Sequence, residues 1–176
     1  MALLQGLDVS FECEPRKGEV MATTPSKPSL VASVERLFKE VFYGGKYPLL
    51  DELLAPDFTF QYPHAGFSAG GKGIQQFSEL FHTALPKFEF EIHDLFGTDD
   101  GVAIRWTVRG HHQGSFLGIP ATGQYVSVSA IGLYKPPHQG GTKIGQGWLE
   151  MDTVGLLQQM KRLPPEGELF PGIRQS

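Results

Sequence analysis

The stretch FEFEIHDLFGTDDGVAIRWTVR, residues 88–109, decides the fold. Phe88, Phe90 and Ile92 alternate with Glu89, Glu91 and His93. Val102, Ile104, Trp106 and Val108 then alternate with Ala103, Arg105, Thr107 and Arg109. A strand sends successive side chains to opposite faces, so this period of two predicts two strands, each with one apolar and one polar face. Thr98-Asp99-Asp100-Gly101 lies between them and carries the residues of a tight turn, which makes the pair a hairpin. Val126, Val128 and Ala130, alternating with Ser127 and Ser129, extend the pattern, and Lys143–Asp152 reads as a further strand.

Upstream the period changes to that of a helix. Leu30, Val34, Leu37, Phe38, Val41 and Phe42 recur at helical spacing, with Ser29 as N-cap and Gly44-Gly45 as the stop. Tyr47–Leu54 reads as a second short helix ended by Pro56, and Phe58–Tyr62 as a strand closed by Pro63. Ile74, Phe77, Phe81 and Leu85 mark a third helix that stops at Pro86, and Thr153–Met160 a short final one. Helices before and within a run of strands predict an α+β fold, with about three helices packed on one face of a curved antiparallel sheet. Such a layer over a bent sheet leaves a cone whose inside can hold a small apolar ligand. Thr23-Thr24-Pro25-Ser26-Lys27-Pro28 reads as a linker, so residues 1–28 are expected to be an extension, 29–163 the domain and 164–176 a tail.

Composition narrows the function. A chain of 176 residues, 40% hydrophobic and 19% charged, fits one globular domain. Its net charge is −4 and its Lys and Arg are dispersed, so a nucleic-acid footprint is missing. Cys13 is the single cysteine, which excludes an intrachain disulfide and a Cys-rich metal site. No apolar run approaches the roughly 20 residues of a membrane span. Met1–Phe11 lacks the basic start and small-residue cleavage site of a secretion signal, so a cytoplasmic location is expected.

Trp148, Glu150 and Asp152 share one face of the last strand. Assigning Trp148 to the inside, with Trp106, places Asp152 inside as well, and predicts one apolar pocket bounded by Trp106, Trp148, Phe60 and Phe38 or Phe42. Asp152 has two readings. Immediately before a helix it is a good N-cap, which lowers its pKa through hydrogen bonds to the ionised form. Buried beside aromatics, it becomes a carboxyl of raised pKa, suited to abstracting a proton next to a carbonyl. Glu150 could raise that pKa further, or be a solvated residue paired with Arg105 or Arg109. Tyr134 could donate to a developing enolate oxygen, or be a core aromatic. His111 and His112 are adjacent, so they point to opposite strand faces and cannot share a metal; no other ligand set stands at zinc spacing. Small and hydroxyl residues on the other face, Thr107, Ser127, Ser129 and Gly147, predict a two-fold sheet-to-sheet homodimer.

The run Ile104–Gly114, followed by Phe116-Leu117-Gly118-Ile119-Pro120-Ala121-Thr122-Gly123, together with Trp148, Asp152 and Gly155-Leu156-Leu157-Gln158-Gln159, resembles the SnoaL-like polyketide cyclases of the NTF2-like superfamily. The resemblance spans about residues 29–163. It implies a cone-shaped, usually dimeric α+β domain that closes a ring by intramolecular aldol chemistry on an aromatic polyketide ester, without metal or cofactor. Asp152 falls where those cyclases have their proton-transfer acid, and His112 where the family commonly has histidine. Two positions depart from the pattern. Tyr134 stands where a cavity histidine is expected, and Phe60 and Gln61 stand where members often have an Asp-His pair.

Overall fold

The structure, a computed structural model, describes residues 29–62 and 66–164. The extension (residues 1–28) and the tail after 164 lie outside the described residues. Strands β2 (Glu89–Thr98) and β3 (Gly101–His111) form the hairpin its turn sequence predicts, with Thr98 opposite Gly101. β4 (Tyr125–Lys135) and β5 (Ile144–Met151) extend it in antiparallel order. β1 (Leu54–Gln61) lies parallel to β5, which gives the order β1-β5-β4-β3-β2. One edge of the sheet is therefore parallel, a correction to the wholly antiparallel expectation. Parallel neighbours need a long crossover. Here that crossover is the rest of the domain, so local periodicity carries no trace of it.

Ser29 caps α1 (Leu30–Arg36), its hydroxyl accepting the N–H of Ala32 at 3.2 Å. The helix continues as a wider π-helical segment over Leu37–Tyr43, which keeps Leu37, Phe38, Val41 and Phe42 all buried. A 3₁₀ turn, Tyr47–Leu49, leads into α2 (Leu50–Leu53), and the chain is already extended at Leu54. The second helix is thus shorter than its run of leucines implied. A residue before proline is pushed out of helical geometry, and Ala55 precedes Pro56. α3 (Gly71–Ala84) and α4 (Thr153–Gln159) complete the helices.

Helices cover one face of the sheet. Against them lie Val102, Ile104, Trp106 and Val108 of β3 and Val126, Val128, Ala130 and Tyr134 of β4, all buried. The rings of Phe38 and Phe42 lie 5.9 and 5.4 Å from that of Trp106, and Phe81 and Phe90 lie 6.2 and 5.9 Å from it. Tilted and edge-on pairs of this kind add ~0.5–1.5 kcal/mol each beyond area burial. The phenylalanines conspicuous in the sequence therefore pack directly on the sheet.

β5 is turned by one residue from the sequence expectation. Gly147, Leu149 and Met151 face the helices, while Gln146, Trp148 and Glu150 face outward. The cause lies on the next strand. Gly147 pairs with Tyr134, whose ring lies across it. A Cβ on Gly147 would stand 2.8 Å from Tyr134 Cε1, and one on Gly132 2.8 Å from Cε2. The interior position of β5 is thus filled by a side chain from β4, and Trp148 registers with outward-facing Leu133. The ammonium of Lys135 sits 5.8 Å above the Trp148 ring. Beyond Met151 the open edge of β4 is served by α4. The Gln159 amide donates to the Ser127 carbonyl at 2.8 Å and accepts the Ser127 N–H at 2.7 Å.

Candidate functional site

Asp152 is the N-cap of α4, with one carboxylate oxygen accepting the N–H of Gly155 at 2.8 Å. Its side chain is exposed. The expected interior position therefore does not hold, because the parity argument rested on an inward Trp148. Trp148 and Trp106 stand on opposite faces of the sheet, which removes Trp148 from any common pocket. Glu150 and Gln61 are likewise exposed. Glu150 lacks the expected arginine partners, since Arg105 binds Asp94 at 2.6 Å and Arg109 binds Glu91 at 2.8 Å. Gly147, expected on the outer face, lies inside. Phe38 and Phe42 do face the interior in ring contact with Trp106, while Phe60 packs on Phe77 instead.

His112 is fully buried. It directly follows β3 and is held by two backbone bonds, its N–H to the Gln124 carbonyl at 2.8 Å and its carbonyl to the Gly123 N–H at 2.9 Å. The loop that closes this ladder also supplies Thr122. The Thr122 N–H donates to His112 Nδ1 at 3.3 Å, and the Thr122 hydroxyl lies 3.0 Å from the same nitrogen. A nitrogen that accepts a backbone N–H carries no proton, so the neutral ring is protonated on Nε2. Nε2 is buried and has no hydrogen-bond partner among the described residues. Burial, aided by the charge of Arg162, holds the His112 pKa below the usual histidine value. The ring is therefore neutral near pH 7 and presents an N–H donor.

Trp106 repeats this feature, because its fully buried Nε1 is also without a partner among the described residues. An unmatched buried donor costs ~1–3 kcal/mol, which a ligand or water oxygen at the site would recover. Tyr134 is fully enclosed, and burial pushes its phenol above the ordinary range. Tyr62, at the end of β1, is also buried; burial raises its phenol while a hydrogen bond to Thr153 acts the other way.

The expected trio of Asp152, His112 and Tyr134 does not converge. Along β4, the main chain of Asp152 bonds at Ser129 and that of His112 at Gln124. At about 3.3 Å per residue these levels are roughly 17 Å apart, and Tyr134 lies about as far beyond Ser129 in the other direction. No single substrate atom can meet all three. Grooves also occur on the surface. One of about 660 Å³ is lined by Tyr47, Asp51, Lys72, Gln76, Glu79 and neighbours, and one of about 590 Å³ lies along β2 beside Lys39, Tyr43 and His93. Among the described residues no three His, Cys, Asp or Glu side chains gather as a metal site requires, and no helix is long and apolar enough to cross a membrane.

The sequence profile of the SnoaL-like polyketide cyclases matches residues 32–160. The chain belongs to this family. Among solved structures it is similar to TsrD from Streptomyces laurentii, with 27% identity and a TM-score of 0.64 over 75% of this chain and 97% of that one. It is similar in fold to a SnoaL-like polyketide cyclase candidate from a Jannaschia species, at 23% identity and TM-score 0.64 over 82% and 99% of the two chains. AclR, a hydroxylase candidate from Streptomyces galilaeus, shares the fold at 23% identity and TM-score 0.61 over 81% and 90%. No curated protein matches the chain. As a SnoaL-like member it carries the NTF2-like α+β fold, and its neighbours are named for more than one chemistry.

Sequence reading missed the Thr122–His112 contact and the two unmatched donors. The Thr122 contact arises where the loop between β3 and β4 doubles back, and the donors are left bare by tertiary packing. Residue spacing signals neither.

Proposed function

We propose that this protein is a cofactor-free cyclase or isomerase of a hydrophobic, carbonyl-containing small molecule, and that His112 is the group that polarises its carbonyl. Family membership supports the class of reaction. The observation that carries the residue assignment is the bare, buried Nε2–H of His112. Closing a ring by aldol addition takes a proton from the carbon beside one carbonyl, here passed to water, and needs a donor that polarises the other carbonyl oxygen until a proton from water reaches it. A neutral imidazole whose orientation is fixed by Thr122 supplies that donor, and burial keeps it from titrating away. Trp106 Nε1 would anchor a second oxygen of the ligand deeper on the same face of β3. Asp152 can serve such a reaction only from the solvent side of its cap.

The exposed, capping Asp152 favours a second reading, in which the interior holds a hydrophobic ligand without turning it over. The two divide on one experiment. An aromatic polyketide ester bearing a free keto side chain is incubated with the protein in the presence of EDTA, and ring closure is followed by absorbance and mass. Turnover that His112→Gln abolishes supports the enzyme. Saturable binding with no product, at rates no greater than in buffer, leaves the binding module.

We also propose that the protein is a homodimer, built on the outward face of the sheet. Register aligns Phe96, Ala103, Leu133 and Trp148 in one row across four strands. Phe96, Ile131 and Leu133 are each more than half exposed.

A further inference from the structure

We propose that the ligand of the His112 site is a keto acid, its ketone oxygen held by the His112 Nε2–H and its carboxylate by the guanidinium of Arg162. This rests on the reading of His112 given above and names the substrate class of that same site.

Three elements close on His112. Its own N–H bonds the Gln124 carbonyl, just before β4. The next residue, Gln113, donates to the Ala84 carbonyl at 2.9 Å, which brings the end of α3 alongside. α4 comes in from the third side. Gln159 grips both main-chain groups of Ser127, which lies a short step along the chain from Gln124, and the helix turns Leu156 and Met160 into the core. Past Gln159 the chain doubles back. Lys161 takes the left-handed conformation, with φ 57°, and the Arg162 N–H reaches the Leu157 carbonyl at 2.8 Å. Glycine is the usual residue at such a helix end, and a lysine there accepts a strained backbone. The turn keeps Arg162 at the His112 end of the sheet. Its charge reaches the imidazole there and, after burial, is the second cause that holds the His112 pKa down.

The charges around that end are of one sign. Residues 80–88 at the end of α3, 110–128 from β3 into β4, and 153–164 over α4 contain no Asp or Glu, although the whole chain has a net charge of −4. They do carry Lys87, Lys161 and Arg162, all exposed. The acids that flank these segments are engaged elsewhere. Glu79 accepts the Gln75 amide at 2.8 Å, Glu89 registers opposite Arg109 on the outward face, and Asp152 caps the far end of α4. Among the described residues Arg162 has no carboxylate within ion-pair distance.

An unpaired guanidinium beside a bare, buried N–H donor makes a site of two parts. Arginine presents its donors as a planar fork that matches a carboxylate. The Nε2–H offers a single hydrogen and matches a carbonyl oxygen. Unopposed cations at this end draw an anion towards it and repel a cationic ligand. A neutral ester fills the same interior but leaves Arg162 unmatched, so it binds more weakly. Arg162 is thus a specificity-determining residue that selects the free acid.

The test is isothermal titration calorimetry of the full chain with three ligands: naphthoylpropionate, its methyl ester, and naphthylbutyrate, which is the same acid without the ketone. Arg162→Gln and Arg162→Lys are measured alongside; Arg162 is exposed, so both variants keep the fold. A charge-assisted contact is worth a factor of at least about ten. The wild type is expected to bind the keto acid at least tenfold tighter than the ester, with a smaller gap at high salt. Arg162→Gln should bring the two within twofold by weakening the acid alone, and Arg162→Lys should restore part of the gap. An ester that binds as tightly as the acid, or a gap that survives Arg162→Gln, overturns the keto-acid assignment and leaves the role of His112 standing. Naphthylbutyrate binding as tightly as naphthoylpropionate overturns the carbonyl contact at His112, and with it the reading on which the assignment rests. A wild type that binds none of the three overturns both.

Discussion

Gly147→Ala tests the face assignment of β5, on which the placing of Trp148, Glu150 and Asp152 depends. The new Cβ would stand 2.8 Å from Tyr134 Cε1, 3.1 Å from Cδ1 and 3.2 Å from Phe60 Cδ2. The first of these is closer than real side chains approach. Tyr134 cannot slide away, because Gly132 lies beneath its other edge and Phe38 packs on it at 5.7 Å. Overpacking of this kind costs ~1–3 kcal/mol. Replacing glycine by alanine inside a strand returns ~0.5–1 kcal/mol of backbone entropy. The net expectation is a loss of about 1–2 kcal/mol, read as a lower urea midpoint with unchanged slope. The same substitution in a Tyr134→Ala background should lose the clash, giving a coupling of about 1 kcal/mol or more between the two sites. If Gly147→Ala is instead stabilising, residue 147 faces solvent, Trp148 faces the core, and the placement of Asp152 must be redrawn.

Further outcomes follow from the same geometry. Acrylamide should quench the fluorescence of the Trp106→Phe protein, which keeps Trp148, far more strongly than that of Trp148→Phe, which keeps the buried Trp106. Asp152→Ala should cost ~1 kcal/mol through the lost cap, a fall in Tm of about 2–4 °C, while Asp152→Asn retains an acceptor and should change stability by only a few tenths. The depressed pKa of His112 means that the unfolded chain takes up a proton at higher pH than the folded one. Its contribution to stability is therefore fully present above the unfolded value near 6.5 and is lost as pH falls from there through the folded value. Urea titrations from pH 7.5 to 5 should show that loss in the wild type, and His112→Gln should flatten it.

Much of the architecture was legible in the chain because each cue was local. The alternation in 88–109, the Asp99-Asp100 turn and the Ser29 cap each act within a few residues, and all appear as read. The parallel seat of β1 beside β5 was not legible, since its partner lies some 90 positions away. The face of β5 was misread for a different reason. A strand whose buried position is a glycine hides its inner face, because the side chain filling that space belongs to Tyr134 on the next strand. Tryptophan then drew the inside to the wrong parity, and Asp152 went with it. Sequence reading did weigh Asp152 as a cap, and the bond to Gly155 realises that alternative. His112 was visible as a candidate by family position, but its isolation from Asp152 and Tyr134 depends on strand register.

The most direct test of the functional account is kcat/KM for ring closure of an aromatic polyketide ester by His112→Gln and Asp152→Asn, each first shown to melt as a folded protein. Removing a positioned donor to a developing oxyanion costs about 10²–10³-fold. The account predicts that His112→Gln loses at least a hundredfold while Asp152→Asn stays within about threefold of the wild type. A hundredfold loss in Asp152→Asn, with His112→Gln close to the wild type, would contradict it and return the chemistry to the aspartate.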